Sequence, residues 1–266
     1  MSTVCLVPLS ITGLLYQSFD KIMLTRFKDL SSIGYYNFGE KFANIFKLSS
    51  DSITRAFNPY FQKEANLGAE KNKKNIINYF NKLTAVYILF GFMVISFSEE
   101  LIKLLTTPEF YKSIYLAPIF VFYYLVGSVF GLLSVNQIMY GKKMIYQLPS
   151  SLISIFINIC LNIILIPRYG AIGAVISTAI SATFSDGILL FYGQKSYPLP
   201  FNLKKVFMMF GILIFYTALI YALMLLNISF TVKIIIKIAL MIIMVFQLNL
   251  KNYLISFIKK SIKPFY

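Results

Sequence analysis

Apolar residues fall into eight long runs, at roughly 4–24, 34–58, 76–98, 114–140, 148–166, 171–193, 206–226 and 231–250. Each has about the 20 residues that a helix rising ~1.5 Å per residue needs to cross a bilayer. The pattern predicts an all-α fold, a polytopic membrane helical bundle of about eight transmembrane helices. Only Pro167, Arg168, Tyr169 and Gly170 separate the fifth run from the sixth. Pro167 is expected to stop one helix and Gly170 to permit a tight reversal. The segment EELIKLLTTPEFYKS, residues 99–113, mixes charges with Leu and Ile positions that suit a short interfacial helix. The tail KNYLISFIKKSIKPFY is basic and amphipathic and suits a surface-lying end attracted to anionic lipid.

The second run is the least apolar, and its polar residues are patterned. At about 100° per residue, with Glu40 as origin, Asn37, Glu40, Asn44, Lys47, Asp51, Arg55 and Asn58 fall within an arc of about 80°. Phe38, Phe42, Ile45, Phe46 and Ile53 take the far side. A charge facing hydrocarbon costs at least about 2.5–3.5 kcal/mol, so the stripe must face protein or a water-filled cavity. The charges alternate in sign at spacings that permit a ladder of ion pairs locking the helix to its neighbours. The other reading is a hydrated cavity wall that holds a charged or sugar-bearing substrate, which the interleaved asparagines would suit.

Weaker polar faces recur elsewhere. Ser10, Gly13, Gln17 and Asp20, with Lys21 beside them, share one face of the first run. Ser150, Ser154, Asn158 and Asn162 do so on the fifth, and Ser177, Ser181 and Ser185 on the sixth, ending near Asp186. The uncharged stripes, and Gly127 and Gly131 on the fourth run, are expected to serve helix–helix packing.

Composition agrees with a membrane protein. The 266 residues are 58% hydrophobic and 13% charged, about half the usual soluble share of ~25%. The net charge of +15 would suggest nucleic acid in a soluble protein. Here the basic residues lie mostly between apolar runs, which points to topology and to no nucleic-acid partner. Lys63, Lys71, Lys73 and Lys74, then Lys142 and Lys143, then Lys195, Lys204 and Lys205 fall on one side with the basic tail. The opposite side has only Arg26, Lys28, Lys103, Lys112 and Arg168. That asymmetry places both termini in the cytoplasm. Met1 to Gln17 carries no charged side chain, so the first run is read as a retained span rather than a signal peptide. With no His and two Cys in apolar runs, neither a metal site nor a cofactor is expected. An enzyme is not expected either, because the largest outer loop has only Glu99, Glu100 and Glu109 as acids.

Two stretches carry a resemblance. In SFDKIMLTRFKDLSSIGYYNFGEKFANI, Asp20 and Lys21 precede an apolar run, and Gly34, Tyr35 and Tyr36 open the next helix. In NICLNIILIPRYGAIGAVIST, Asn158, Asn162, Leu165 to Pro167, Tyr169, Gly170, Gly173 and Ala174 stand at matching places. Together they resemble the second, C-terminal lobe of Wzx-type polysaccharide flippases, in the multidrug/oligosaccharidyl-lipid/polysaccharide exporter superfamily. NQIMYGKK, residues 136–143, fits the exit of the fourth span. The resemblance spans essentially the whole chain and is weakest after about residue 195.

The resemblance implies a flippase in the cytoplasmic (inner) membrane. It would move undecaprenyl-pyrophosphate-linked oligosaccharide repeat units for surface polysaccharide synthesis, such as the O-antigen of lipopolysaccharide. Residues 1–193 would form a six-helix transport lobe, and 194–266 two additional transmembrane helices and a basic cytoplasmic tail. The implied partners are lipid-linked oligosaccharide, membrane lipid, a coupling ion (H+ or Na+) and an N-terminal lobe or partner chain, since the family has two lobes. Asp20, Lys21, Asn37, Glu40, Asn44, Lys47, Asp51, Arg55 and Asn58 would line the substrate cavity. Lys47 and Arg55 would suit the pyrophosphate, with Glu40 and Asp51 as coupling or pairing groups. The alternatives are a cation-coupled multidrug exporter of the same superfamily, with a less basic and more aromatic, acidic cavity, and an inactive truncated fragment. A membrane-embedded glycosyl-transferring enzyme is disfavoured by the small outer loop.

Overall fold

In a computed structural model, residues 19–27, 30–225 and 229–248 are described. Helix follows helix, and no strand occurs among the described residues. Helix α1 covers residues 19–27. It is followed by α2 (Leu30–Leu67), α3 (Glu70–Ser96), α4 (Ser98–Leu105), α5 (Ser113–Tyr140), α6 (Gln147–Tyr169), α7 (Ala171–Ser196), α8 (Leu203–Leu225) and α9 (Phe230–Gln247). Short 3-10 turns at Pro108–Phe110 and Met144–Tyr146 lead into α5 and α6.

Among the described residues six helices, α3 and α5 to α9, are long and apolar enough to cross a membrane, so the chain is a helical bundle of multi-pass membrane type, with about six such helices there where eight spans were expected over the whole chain. The expected span 34–58 lies inside α2 and is helical, but Glu40, Lys41, Lys47, Asp51 and Arg55 keep it below the hydropathy of its neighbours. At 38 residues α2 is about 57 Å long, well beyond the ~30 Å hydrocarbon thickness. The expected span 4–24 reaches the described residues only from residue 19. Ser10, Gly13, Gln17 and the tail 251–266 lie outside them.

The centre of the bundle is α5, which packs against α2, α3 and α7. It buries Leu116, Phe120, Val121, Leu125, Val129 and Leu133, apolar on every side as a central helix must be. Glycine permits the closest approach. A Cβ on Gly193 of α7 would stand 2.7 Å from Gln137 Oε1 and 3.0 Å from the Ser134 backbone of α5. The approach is sealed where the Gln137 amide donates to the Tyr197 carbonyl at 2.7 Å. Gly193→Val should therefore splay α5 from α7 and cost the bundle stability, measurable as a lower unfolding temperature in detergent.

The reversal between α6 and α7 differs in detail from the expectation. Pro167 sits inside the last turn of α6, which runs on to Tyr169. The turn is made by Gly170, at φ 60° and ψ −133°, a conformation that only glycine adopts without strain. Gly173 lies so close to the Leu165 carbonyl that a Cβ would be 2.4 Å away. The serine stripes on these two helices do pack. The Ser154 hydroxyl donates to the Ser181 carbonyl at 3.0 Å, and Ser150 to the Ser185 carbonyl at 2.9 Å.

Helix α8 lies on α3, and α9 on α3 and α8. The segment expected to be interfacial contains α4, which buries Ile102 and exposes Leu104 and Leu105. Lys237 of α9 is 1% exposed, and its ammonium donates to Glu100 Oε1 of α4 at 2.5 Å. Removing one member strands a buried charge, so Lys237→Met should cost about 3–5 kcal/mol. The double change with Glu100→Gln should recover most of it, read by denaturant or thermal unfolding of the purified protein.

Candidate functional site

A cavity of about 500 Å³ lies between α2, α5, α6 and α7, with Asp20 of α1 at its edge. Helices α2 and α5 run parallel along it. Gly39 is level with Ser113 and Leu116, the Ser128 hydroxyl donates to Ser50 Oγ at 2.9 Å, and the Asn136 amide donates to Asn58 Oδ1 at 2.9 Å. Ser50 is therefore level with the middle of α5, which places Lys47 and Asp51 near the mid-depth of the bundle.

Helix α2 supplies Tyr36, Glu40, Lys47, Asp51, Thr54 and Asn58 to the wall. From α5 come the rings of Phe120, Tyr123 and Tyr124, with Ser128. Ser151 and Ser154 of α6 and Thr178, Ser185 and Asp186 of α7 complete the polar lining. Gly127 and Gly131, expected at helix contacts, line the cavity instead. A Cβ at Gly131 would meet nothing within 4 Å, and at Gly127 the nearest atom would be Asp186 Oδ2 at 3.5 Å. Their missing side chains widen the space in front of that carboxylate.

Charges in the wall are not laddered. Among the described residues, Lys47, Asp51 and Arg55 form no ion pair with one another, although spacings of four would allow it. Glu40 pairs instead with Lys21 of α1 at 3.2 Å. The Lys47 ammonium stands 5.3 Å from the centre of the Tyr124 ring, a cation–π distance. Asp51 and Asp186 have neither an ion pair nor a hydrogen bond to a described residue. With Asp20 and Glu40, they make the lining richer in acids than in bases.

Of the nine residues expected at the site, Asp20, Glu40, Lys47, Asp51 and Asn58 line the cavity. Lys21 stands behind Glu40 as its ion-pair partner. Asn37, Asn44 and Arg55 do not line it, and Arg55 is exposed. The reason is a rotation. The residues that face the cavity lie at about 320° to 20° on the α2 wheel, with Tyr36 and Thr54 at its far edge. Asn44 at about 40°, and Asn37 and Arg55 at about 60°, belong with the exposed flank of Lys41, Leu48 and Ser52. Because α5 packs on the aromatic side of α2, the cavity opens along the edge of the stripe nearest that side. Lys47→Ala is accordingly expected to impair function far more than Arg55→Ala, which a side-by-side activity assay at matched expression would show.

At the edge of the cavity, Asp20 is 2% exposed and gathers three helices. The Tyr36 hydroxyl of α2 donates to its Oδ2 at 2.8 Å, and the Asn162 amide of α6 to its Oδ1 at 2.6 Å. The Thr178 hydroxyl of α7 also donates to Oδ2. The Asn162 amide donates in addition to Asn158 Oδ1 at 3.0 Å, while Asn162 Oδ1 is buried with no partner. The result is a buried carboxylate held by an amide N–H and two hydroxyls; the carboxylate can take a proton, and the same hydroxyls and amide, turned to present their oxygens, would suit a hard monovalent cation. No three His, Cys, Asp or Glu side chains cluster among the described residues. The asparagine stripe on α6 thus holds Asp20, where simple packing was expected.

Sequence reasoning missed Tyr36, Thr54, Tyr123, Tyr124, Thr178 and Asp186. A lone Asp at the end of a serine stripe was the one available signal for Asp186; Tyr123 and Tyr124 lie in a run apolar all round, where no periodicity marks a face. No family model, no curated protein and no solved structure matches the chain.

Proposed function

We propose that the chain is part of an ion-coupled membrane transporter that moves lipid-linked oligosaccharide across the cytoplasmic membrane. The observation that carries this reading is the cavity among apolar helices, where the carboxylates of Asp51 and Asp186, unpaired among the described residues, stand with the rings of Tyr123 and Tyr124. Sugar hydroxyls donate to carboxylates, and the apolar faces of sugar rings lie against aromatic side chains. Asn58, Thr54 and Ser128 add neutral partners for the remaining hydroxyls. The resemblance to Wzx-type flippases supports the same substrate class.

The charges refine the division of labour. Lys47 is the cation of the wall, and Arg55 stands outside it, so this wall suits the sugar portion better than the pyrophosphate. Asp20, with Asn158, Asn162, Thr178 and Tyr36, is the site for the coupling ion. Binding a cation there would draw α1, α2, α6 and α7 together, and its release would relax them, a differential contact of the kind that drives alternating access. A second lobe or partner chain would supply the opposite wall, and the lysine-rich end of the bundle would face the cytoplasm.

The excess of acids over bases favours one other reading, a cation-coupled exporter of cationic amphiphiles. Reconstituted liposomes separate the two. Translocation of a fluorescent undecaprenyl-pyrophosphate oligosaccharide, driven by a H+ or Na+ gradient, is expected. Efflux of a cationic dye without oligosaccharide translocation would instead assign the exporter activity, and neither would reject both.

A further inference from the structure

The face that α5 turns to the cavity changes character along the helix. Phe120, Tyr123 and Tyr124 fill its N-terminal half with rings. From Gly127 to Gly131, one turn and about 6 Å of axis, it is bare. Asp186 of α7 stands at this level, its Oδ2 3.5 Å from where a Cβ on Gly127 would be. Ser151 of α6 stands beside it, because the preceding Ser150 bonds to Ser185. Asp51 and Thr54 of α2 are level with it too, since Ser50 meets Ser128 by a hydrogen bond.

These two glycines do not serve packing. A Cβ on Gly193 would stand 2.7 Å from Gln137 Oε1, whereas one on Gly131 would meet no described atom within 4 Å. Neither Gly127 nor Gly131 has a positive φ, so the backbone does not require glycine there. Glycine inside a helix costs stability relative to alanine, and what these two gain is open space in front of Asp186.

We propose that the bared stretch is a second sugar subsite. One ring of the oligosaccharide lies against Tyr123 and Tyr124, and a further ring enters the slot at Gly127 and Gly131, with hydroxyls bonded to Asp186 and Ser151. The carboxyl oxygens accept from ring hydroxyls, and the serine hydroxyl can donate or accept. A side chain on either glycine would hold the ring off the helix and away from Asp186. Gly127 and Gly131 are therefore specificity-determining residues, which set how long an oligosaccharide the wall engages. The subsite exists only if the cavity takes oligosaccharide, as proposed above.

The test is equilibrium binding of soluble glucose, mannose and N-acetylglucosamine oligomers, dimer to tetramer, to the full chain in detergent. In at least one series the tetramer is expected to bind at least about tenfold more tightly than the dimer, the worth of one further hydrogen bond to a charged group. Gly131→Leu fills the slot without meeting a neighbour, and leucine is the better helix former, so its unfolding temperature should be no lower. It should bind that tetramer no better than the dimer, and the dimer within about twofold of the parent. Gly131→Ala should show the same length-selective loss in smaller measure, whereas Tyr124→Ala should weaken dimer and tetramer alike. Parent affinity independent of length would overturn the subsite and leave the oligosaccharide reading standing. So would a Gly131→Leu variant that loses nothing, or that loses dimer and tetramer equally. Binding of no series by the parent would overturn both.

Discussion

Asp20→Asn should leave the chain folded and inserted while reducing ion-coupled transport at least about a hundredfold. The argument starts from the three donors around the carboxylate. Tyr36 and Thr178 present hydroxyls, which can rotate from donor to acceptor, and the Asn162 amide can still donate to the new side chain's oxygen. The asparagine therefore satisfies its surroundings at little cost. What it loses is the negative charge that would hold a cation in a buried site, worth several kcal/mol there, and each 1.4 kcal/mol is a factor of ten. Asp20→Ala should behave differently. It strands up to three buried donors at about 1–3 kcal/mol each and should lower stability as well as transport. Transport in proteoliposomes, with unfolding measured on the same preparations, separates the two effects. Full cation-dependent transport by Asp20→Asn would remove the coupling role.

The second large effect is expected at Asp51 and Asp186. Each carboxylate lines the cavity with no ion pair or hydrogen bond to a described residue, so ligand contacts should dominate its contribution. A hydrogen bond to a charged group is worth about 1.5–3 kcal/mol. Asp51→Ala and Asp186→Ala should each weaken binding of a soluble oligosaccharide by roughly ten- to a hundredfold. The asparagine variants should retain much of it, because an amide still serves a sugar hydroxyl. For a cationic substrate the pattern reverses: asparagine and alanine would be equally damaging, because both remove the charge. Tyr124→Ala should add a comparable loss, since the ring is both a stacking face and the support of the Lys47 ammonium. Binding isotherms across this set distinguish sugar from cation recognition.

How far the sequence foretells this structure depends on the physics of each element. The helices of α3 and α5 to α9 are legible because membrane spans are long and apolar, a requirement that composition states directly. The polar stripe of α2 is legible as a stripe because charge cannot face lipid. Its aim is not. Arg55 and Asn44 share the stripe with Lys47 and Asp51, and only the seating of α5 on the aromatic side of α2 decides which edge faces the cavity. The Asp20 cluster is tertiary in the fullest sense, joining residue 20 to residues 162 and 178 across three helices. Periodicity within α6 shows Asn158 and Asn162 on one face but cannot show what that face meets. Gly127 and Gly131 mislead for a related reason, since a small residue serves equally to let helices touch and to leave a space open.

The central claim is that the Lys47–Asp51 face of α2 looks into a watered, substrate-binding cavity. Cysteine labelling tests it most directly. With Cys5 and Cys160 replaced by Ala, single cysteines at Ser128 and Ala182 of the wall, and at fully buried Ala43, are treated with a small charged thiol reagent in membranes. Ser128→Cys and Ala182→Cys should react rapidly and be protected by lipid-linked oligosaccharide, while Ala43→Cys stays inert. Wall cysteines that react no faster than Ala43→Cys would show a dry interior and contradict the transport reading, and rapid labelling indifferent to the oligosaccharide would contradict the substrate.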